Sequence, residues 1–269
     1  MRHLKSIDEF NRINEQLFKK EINFFNSLFK GEEPKESPVS GDVNISSAVS
    51  ADKEKNVKAL VEAMKRHNIT NPYTQKAILG VIGKESGFVP KNEVNYSNTS
   101  AERIRNIFKK KLGGLSDSEI DKLKANPESF FNKIYGGRYG NAENEGFKYR
   151  GRGFNGITFK GVYQKMQKLL DQFGKLGRRA DIVNNPDSLN EIDVAAEVAV
   201  LYFIDRAADP KMAQKYGVSD INGFKDQETA LKAMVNANAG WGTNIENDFL
   251  NNLAKAREQA QKFNVDNLA

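Results

Sequence analysis

The chain has 269 residues, with 41 Lys and Arg against 35 Asp and Glu for a net charge of +6, a length that allows one large domain or a medium one with an appendage and a substantial core. It contains no Cys, and its two His, His3 and His67, stand far apart; disulfides and thiol nucleophiles are excluded, and the pattern argues against a zinc site or a His-based triad. No metal and no cofactor are therefore expected, and carboxylate chemistry remains. No run of about eighteen apolar residues is present, so no transmembrane segment is expected, while the positive charge suits a polyanionic partner without choosing among cell-wall polymer, nucleic acid and membrane surface.

Residues 1–30 place Leu4, Ile7, Phe10, Ile13, Leu17, Phe24, Phe25, Leu28 and Phe29 at helical spacing, which predicts an amphipathic helix that docks on its own domain, self-associates or engages a partner protein. The opening MRHLKSIDEFNRINEQ has no uninterrupted apolar core, so it does not read as a signal peptide, and delivery outside the cytoplasm would need another route. Residues 31–51, rich in Ser, Gly, Pro and Glu, read as a flexible linker. The main domain is expected over 52–269.

A helix over Asp52 to Arg66 is marked by Val57, Leu60, Val61 and Met64. After a short turn, Asn71 and Pro72 form a helix start, because Asn caps free amides and Pro is preset for the first turn. The stripe Ala77, Ile78, Val81 and Ile82 leads on to Glu85, and Gly87 supplies a left-handed stop. Glu85 is thus predicted in a last turn beside apolar surface, where both the helix dipole and burial disfavour an ionised carboxylate, as a general acid requires. Glu93 follows in a loop with Asn92, Asn95, Tyr96 and Ser97, a wet and polar setting suited to a carboxylate that stays ionised. Two carboxylates in opposed settings suggest an acid and a base; the alternative is that both are solvated surface charges.

Thr99 with Glu102 and Ser116 with Glu119 read as capping boxes for two further helices, and Asn126-Pro127 opens another carrying Phe130, Phe131, Ile134 and Tyr135. The helical pattern breaks over residues 136–159, GGRYGNAENEGFKYRGRGFNGITF, which hold seven glycines interleaved with aromatics and basic residues. A loop of that length inside a compact domain usually has a task; this one is expected to contact ligand, or else to form a small hairpin that closes the domain. Helices resume with Val162, Tyr163, Met166, Leu169 and Leu170, then Ile192, Ala195, Ala199, Tyr202 and Phe203, then residues 228–236. The segment VNANAGWG can present amides and the aromatic face of Trp241 to a sugar or serve as a helix cap, and 245–263 reads as an exposed amphipathic helix over the domain.

Three segments, GKESGFVPKNEVNYS, YRGRGFNGITFKGVY and VNANAGW, together resemble family 19 glycoside hydrolases, a chitinase class that also includes bacteriophage endolysins and peptidoglycan-cleaving muramidases. The likeness covers roughly residues 55–250. It implies a mainly α, lysozyme-like multi-helix domain, with Glu85 as general acid and Glu93 as general base. Tyr96, Ser97, Tyr149, Arg152 and Thr158 would line the cleft, with a sugar-binding Asn at either Asn236 or Asn238. Gly156 stands where the family has Gln. The implied partner is a peptidoglycan glycan strand rather than nucleic acid, cleaved at β-1,4 bonds with inversion. The missing signal peptide and the likeness to phage enzymes imply holin-type release or delivery within a virion, whose tail proteins residues 1–30 could engage. Three alternatives stay open: a lytic transglycosylase, for which ESGFVP offers the Glu-Ser pair and one Glu suffices, a chitinase, and a tail component that grips cell wall without cleaving it.

Overall fold

The structure, a computed structural model, describes residues 51–94, 96–239 and 246–263. The predicted docking helix 1–30, the linker up to residue 50, Asn95 and Trp241 lie outside them. Among the described residues the architecture is mainly helical and without strands, the lysozyme-like multi-helix class expected from sequence. Its helices are α1 (Ala51–Arg66), α2 (Pro72–Ser86), α3 (Ala101–Ile107), α4 (Lys109–Leu112), α5 (Asp117–Lys124), α6 (Pro127–Tyr135), α7 (Lys160–Phe173), α8 (Ile192–Ala207), α9 (Pro210–Tyr216), α10 (Gln227–Ala239) and α11 (Glu246–Ala260), with a 3-10 turn at Pro186–Asn190. No described helix is long and apolar enough to cross a membrane.

Local chemistry sets most of the starts and stops. Asn71 accepts from Thr74 N–H at 3.0 Å to open α2, Asn126 accepts from Ser129 N–H at 3.0 Å to open α6, and Gly87 ends α2 at φ +62°. The Ser116–Glu119 capping box forms in full, the Glu119 carboxylate accepting from Ser116 N–H at 2.8 Å. The other box does not: Ser100, not Thr99, caps α3 by accepting from Arg103 N–H at 3.3 Å. Both hydroxyls precede the same apolar run, and the spacing alone could not separate neighbouring candidates.

Two hydrophobic clusters result. The larger gathers α1, α2 and α7 to α11, with α2 packed against α10 and α11. Close approach there depends on glycine: a Cβ on Gly80 would stand 2.6 Å from the Ala256 carbonyl oxygen, and one on Gly83 2.6 Å from the Phe88 ring. Leu253, Ala256, Ala260 and Phe263 are buried, so the last helix is a core element rather than the exposed cover its amphipathic pattern suggested. Its apolar stripe is narrow because its residues are small where the α2 glycines admit them. The smaller cluster joins Ala101, Ile104, Leu112, Ile120, Phe130, Phe131 and Ile134, with Tyr96, Phe108 and Tyr135 at its margin.

One buried acid ties the larger cluster together. Glu197 on α8 accepts from Arg66 Nη2 at 2.8 Å and from Lys175 N–H at 2.6 Å, and bonds His67 Nε2 at 2.6 Å. Burial pushes its carboxyl up, but the His67 bond and charge, with Arg66 and the Lys175 amide, outweigh that and bring it down to about 2. A charge so placed is costly to strand, on the order of 3–5 kcal/mol when one partner is removed.

Candidate active site

Glu85 leaves α2 in its last turn. The helix is buried on nearly every side up to Gly83, and Lys84 and Glu85 are where it reaches solvent. The Glu85 side chain is 32% exposed, with Lys84 Nζ 2.5 Å from its Oε1 and Asn238 Nδ2 donating to the same oxygen at 2.9 Å. It borders a cleft of about 310 Å³ lined also by Val81, Lys84, Asn155, Gly156 and Asn238. The apolar enclosure expected for Glu85 is not there. A cation and an amide flank it instead, because the stripe ends where the covering helices give way to the cleft.

Glu93 is held quite differently. Its N–H donates to Gly151 O at 2.7 Å, and its Oε2 accepts from Gly151 N–H at 3.1 Å, a reciprocal pairing across 58 residues of chain. Its Oε1 accepts from Tyr96 Oη at 3.1 Å and from Tyr135 Oη at 2.9 Å. Both phenols are pushed up well above their ordinary range by burial first, then by the Glu93 charge and by the hydrogen bond to it, so they remain donors at any physiological pH. The expected open polar loop is replaced by a half-buried site at the margin of the aromatic cluster; its neighbour Val94, at 74% exposed, is what faces water.

Between the carboxylates runs the glycine-rich segment, and it does form a small hairpin. Arg152 and Ile157 pair antiparallel, N–H to carbonyl at 3.1 and 2.9 Å. The turn between them uses Gly153 at φ +78° and Gly156 at φ +67°, conformations that glycine adopts without steric cost. At its base Gly151 holds Glu93, and at its tip Asn155 and Gly156 border the Glu85 cleft. A bare α-carbon leaves room at the base: a Cβ on Gly151 would lie 3.2 Å from Glu93 Oε2 and 3.4 Å from Thr158 Oγ1, so that the carboxylate would have to shift by a few tenths of an ångström. Thr158 donates its hydroxyl hydrogen to Gly156 O at 2.8 Å.

Other residues implied by the resemblance fall in two groups. Asn238 lines the cleft, Thr158 stands at the hairpin base near Gly151, and Tyr96 donates to Glu93, while Ser97 is exposed on the following turn. Tyr149, Arg152 and Asn236 turn inward instead. Tyr149 is 1% exposed and donates to Val183 O at 3.2 Å. Arg152, 3% exposed, spends its guanidinium on Asp187 at 2.8 Å, Lys148 O at 2.6 Å and the Tyr163 hydroxyl at 3.1 Å. Asn236 is buried on the opposite side of α10 and donates to Tyr216 Oη. Tyr149 and Arg152, beside the glycine turn, have an interior to fill and buried carbonyls to satisfy, whereas Asn236 is turned inward by the rotation at which α10 packs. Sequence reasoning missed Lys84, Tyr135, Gly151 and Asn155; of these only Tyr135 left a trace, as the polar end of an otherwise apolar helical stripe.

No protein-family model matches the chain. A protein of Haemophilus influenzae named "Glycosyl hydrolase family 19 domain-containing protein" is 30% identical over 152 residues, which make up 54% of this chain and 68% of that protein. With two carboxylates facing one hairpin and that share of a relative's length matched, the chain belongs to glycosyl hydrolase family 19.

Proposed function

We propose that the chain hydrolyses β-1,4 bonds of bacterial peptidoglycan by an inverting mechanism, with Glu85 as general acid and Glu93 as general base. The observation that carries this reading is the shared hairpin: its tip borders the Glu85 cleft and its base holds Glu93. A saccharide lying along the hairpin would meet one carboxylate on each side. Glu85 gives its proton to the glycosidic oxygen as the bond from the anomeric carbon breaks. Glu93 Oε2 takes a proton from the water that attacks the opposite face, and the product carries inverted configuration; inverting pairs stand roughly 6.5–9.5 Å apart. Thr158 Oγ1, beside Oε2 over the bare α-carbon of Gly151, has its own hydrogen committed to Gly156 O and offers lone pairs to that water. The preference for cell wall over chitin rests on the net charge of +6, which suits an anionic polymer, and on the likeness to phage enzymes.

One observation favours a second reading. Three hydrogen bonds occupy Glu93, out of about four acceptor positions on a carboxylate. A group so engaged could serve purely as a brace, leaving Glu85 as the single acid of a lytic transglycosylase.

Digestion of purified peptidoglycan by the wild type and by Glu85→Gln, followed by mass spectrometry of soluble fragments, decides between them. Ordinary reducing ends produced only by the wild type are expected. Anhydro ends would transfer the case to the transglycosylase, and equal activity of Glu85→Gln would remove Glu85 from the chemistry.

A further inference from the structure

We infer that Tyr96 and Tyr135 are positioning residues that leave only one oxygen of Glu93 able to act as a base, so that the small aromatic cluster aims the reaction. The inference rests on the reading of Glu93 as general base. Oε1 accepts both phenol hydrogens, at 3.1 and 2.9 Å, and a carboxylate oxygen has two in-plane acceptor positions. Oε1 is therefore filled. Among the described residues Oε2 accepts one hydrogen, from Gly151 N–H at 3.1 Å, which leaves its second position open, on the oxygen that together with Thr158 Oγ1 flanks the bare α-carbon of Gly151.

The phenols are themselves fixed. Tyr135 stacks on Phe131 with centroids 5.9 Å apart and meets Phe159 edge-on at 5.1 Å. Tyr96 meets Phe108 edge-on at 5.3 Å and Phe130 at 5.5 Å. Their rings belong to a cluster built from α3 to α6, elements that supply none of the described lining of the Glu85 cleft. A segment distant in the chain thus sets which lone pair is free, and fixed direction is what a base acting on one water requires. This also gives Tyr96 a different part from the sugar contact that the resemblance implied.

The test uses Tyr135→Phe, Tyr96→Phe and the double variant, which keep the rings and remove only the hydroxyls, beside Glu93→Gln. The Gln control is structurally mild: its carbonyl can face Gly151 N–H and its NH₂ the two phenols, whose oxygens can accept. We expect kcat on soluble glycan strands to fall about ten-fold in Tyr135→Phe and about a hundred-fold in the double variant, the loss of one and then two hydrogen bonds to a charged group. KM and Tm should stay near wild type. Wild-type kcat in the double variant, with Glu93→Gln inactive, would overturn the inference and leave the hydrolase reading standing. A matched rise in KM and fall in Tm would make the pair a packing element and overturn it equally. Full activity of Glu93→Gln would remove Glu93 as base, and the inference with it.

Discussion

The larger and smaller clusters each present one carboxylate, and they do so by opposite means. Glu85 is carried by a helix whose own backbone bonds and buried sides fix it, so its direction is settled within fifteen residues of chain. Among the described residues its side-chain partners are Lys84 next door and Asn238. Glu93 has no regular element of its own. Three donors from Tyr96, Tyr135 and Gly151 fix it, two of them more than forty residues away. A proton donor needs freedom to meet the leaving oxygen, whereas a base that must aim one water gains from being held; in how firmly each carboxylate is held, though not in the cation beside Glu85, the two settings match the two proposed roles.

Changes can be chosen that strike one side of this contrast only. The largest effect belongs to Glu85→Gln, expected to lower glycan cleavage at least about a thousand-fold, in line with the loss of a general acid, while far-ultraviolet circular dichroism and Tm stay unchanged. Next is Gly80→Val, which drives a side chain into the Ala256 carbonyl and Ala260 Cβ, 2.6 and 2.9 Å from the new Cβ. That overpacking is expected to cost about 3 kcal/mol or more, visible as a Tm lower by about 6–12 °C. It strikes the frame of Glu85 and leaves the Glu93 clamp untouched; an unchanged Tm would mean that α11 does not rest on α2 as described.

A third effect is chemical rather than mutational. Glu197 is brought down from 4.5 to about 2 in the folded chain by His67, Arg66 and the Lys175 amide acting against burial. The folded state therefore binds this proton less readily than the unfolded one, so the stability it contributes is present above pH 4.5 and is lost as pH falls toward about 2. Urea unfolding followed across that window should show the larger cluster weakening by a few kcal/mol, and Glu197→Gln should flatten the dependence while lowering stability at neutral pH. The smallest effect is expected from Asn238→Ala, which removes a single neutral donor from Glu85: activity down about three- to ten-fold with little change in Tm. A loss as large as that of Glu85→Gln would make Asn238 far more than an auxiliary contact.

Much of the frame could be read along the chain. Asn71, Ser116 and Asn126 spend their side chains on amides three residues further on, and Gly87 gives its own N–H to the Gly83 carbonyl four residues back. The placement of Glu85 at the end of α2 belongs to the same class, since periodicity and a glycine stop fix it. Its surroundings do not, because they depend on α10 arriving with Asn238 rather than Asn236 facing the cleft, a choice of helix rotation made by packing. Likewise Arg152 reads as a ligand contact until Asp187 and Tyr163 are brought around it.

The sequence by itself determined a mainly helical chain, the positions of most helix ends, a carboxylate at the close of α2 and a glycine-rich break in the helical pattern after α6, because each rests on bonds between near neighbours. Only the tertiary structure decided that Glu93 is clamped rather than free, that Tyr149 and Arg152 face inward, and that the last helix lies in the core. These depend on meetings between residues dozens of positions apart, where burial and hydrogen-bond satisfaction, not local spacing, select the partner.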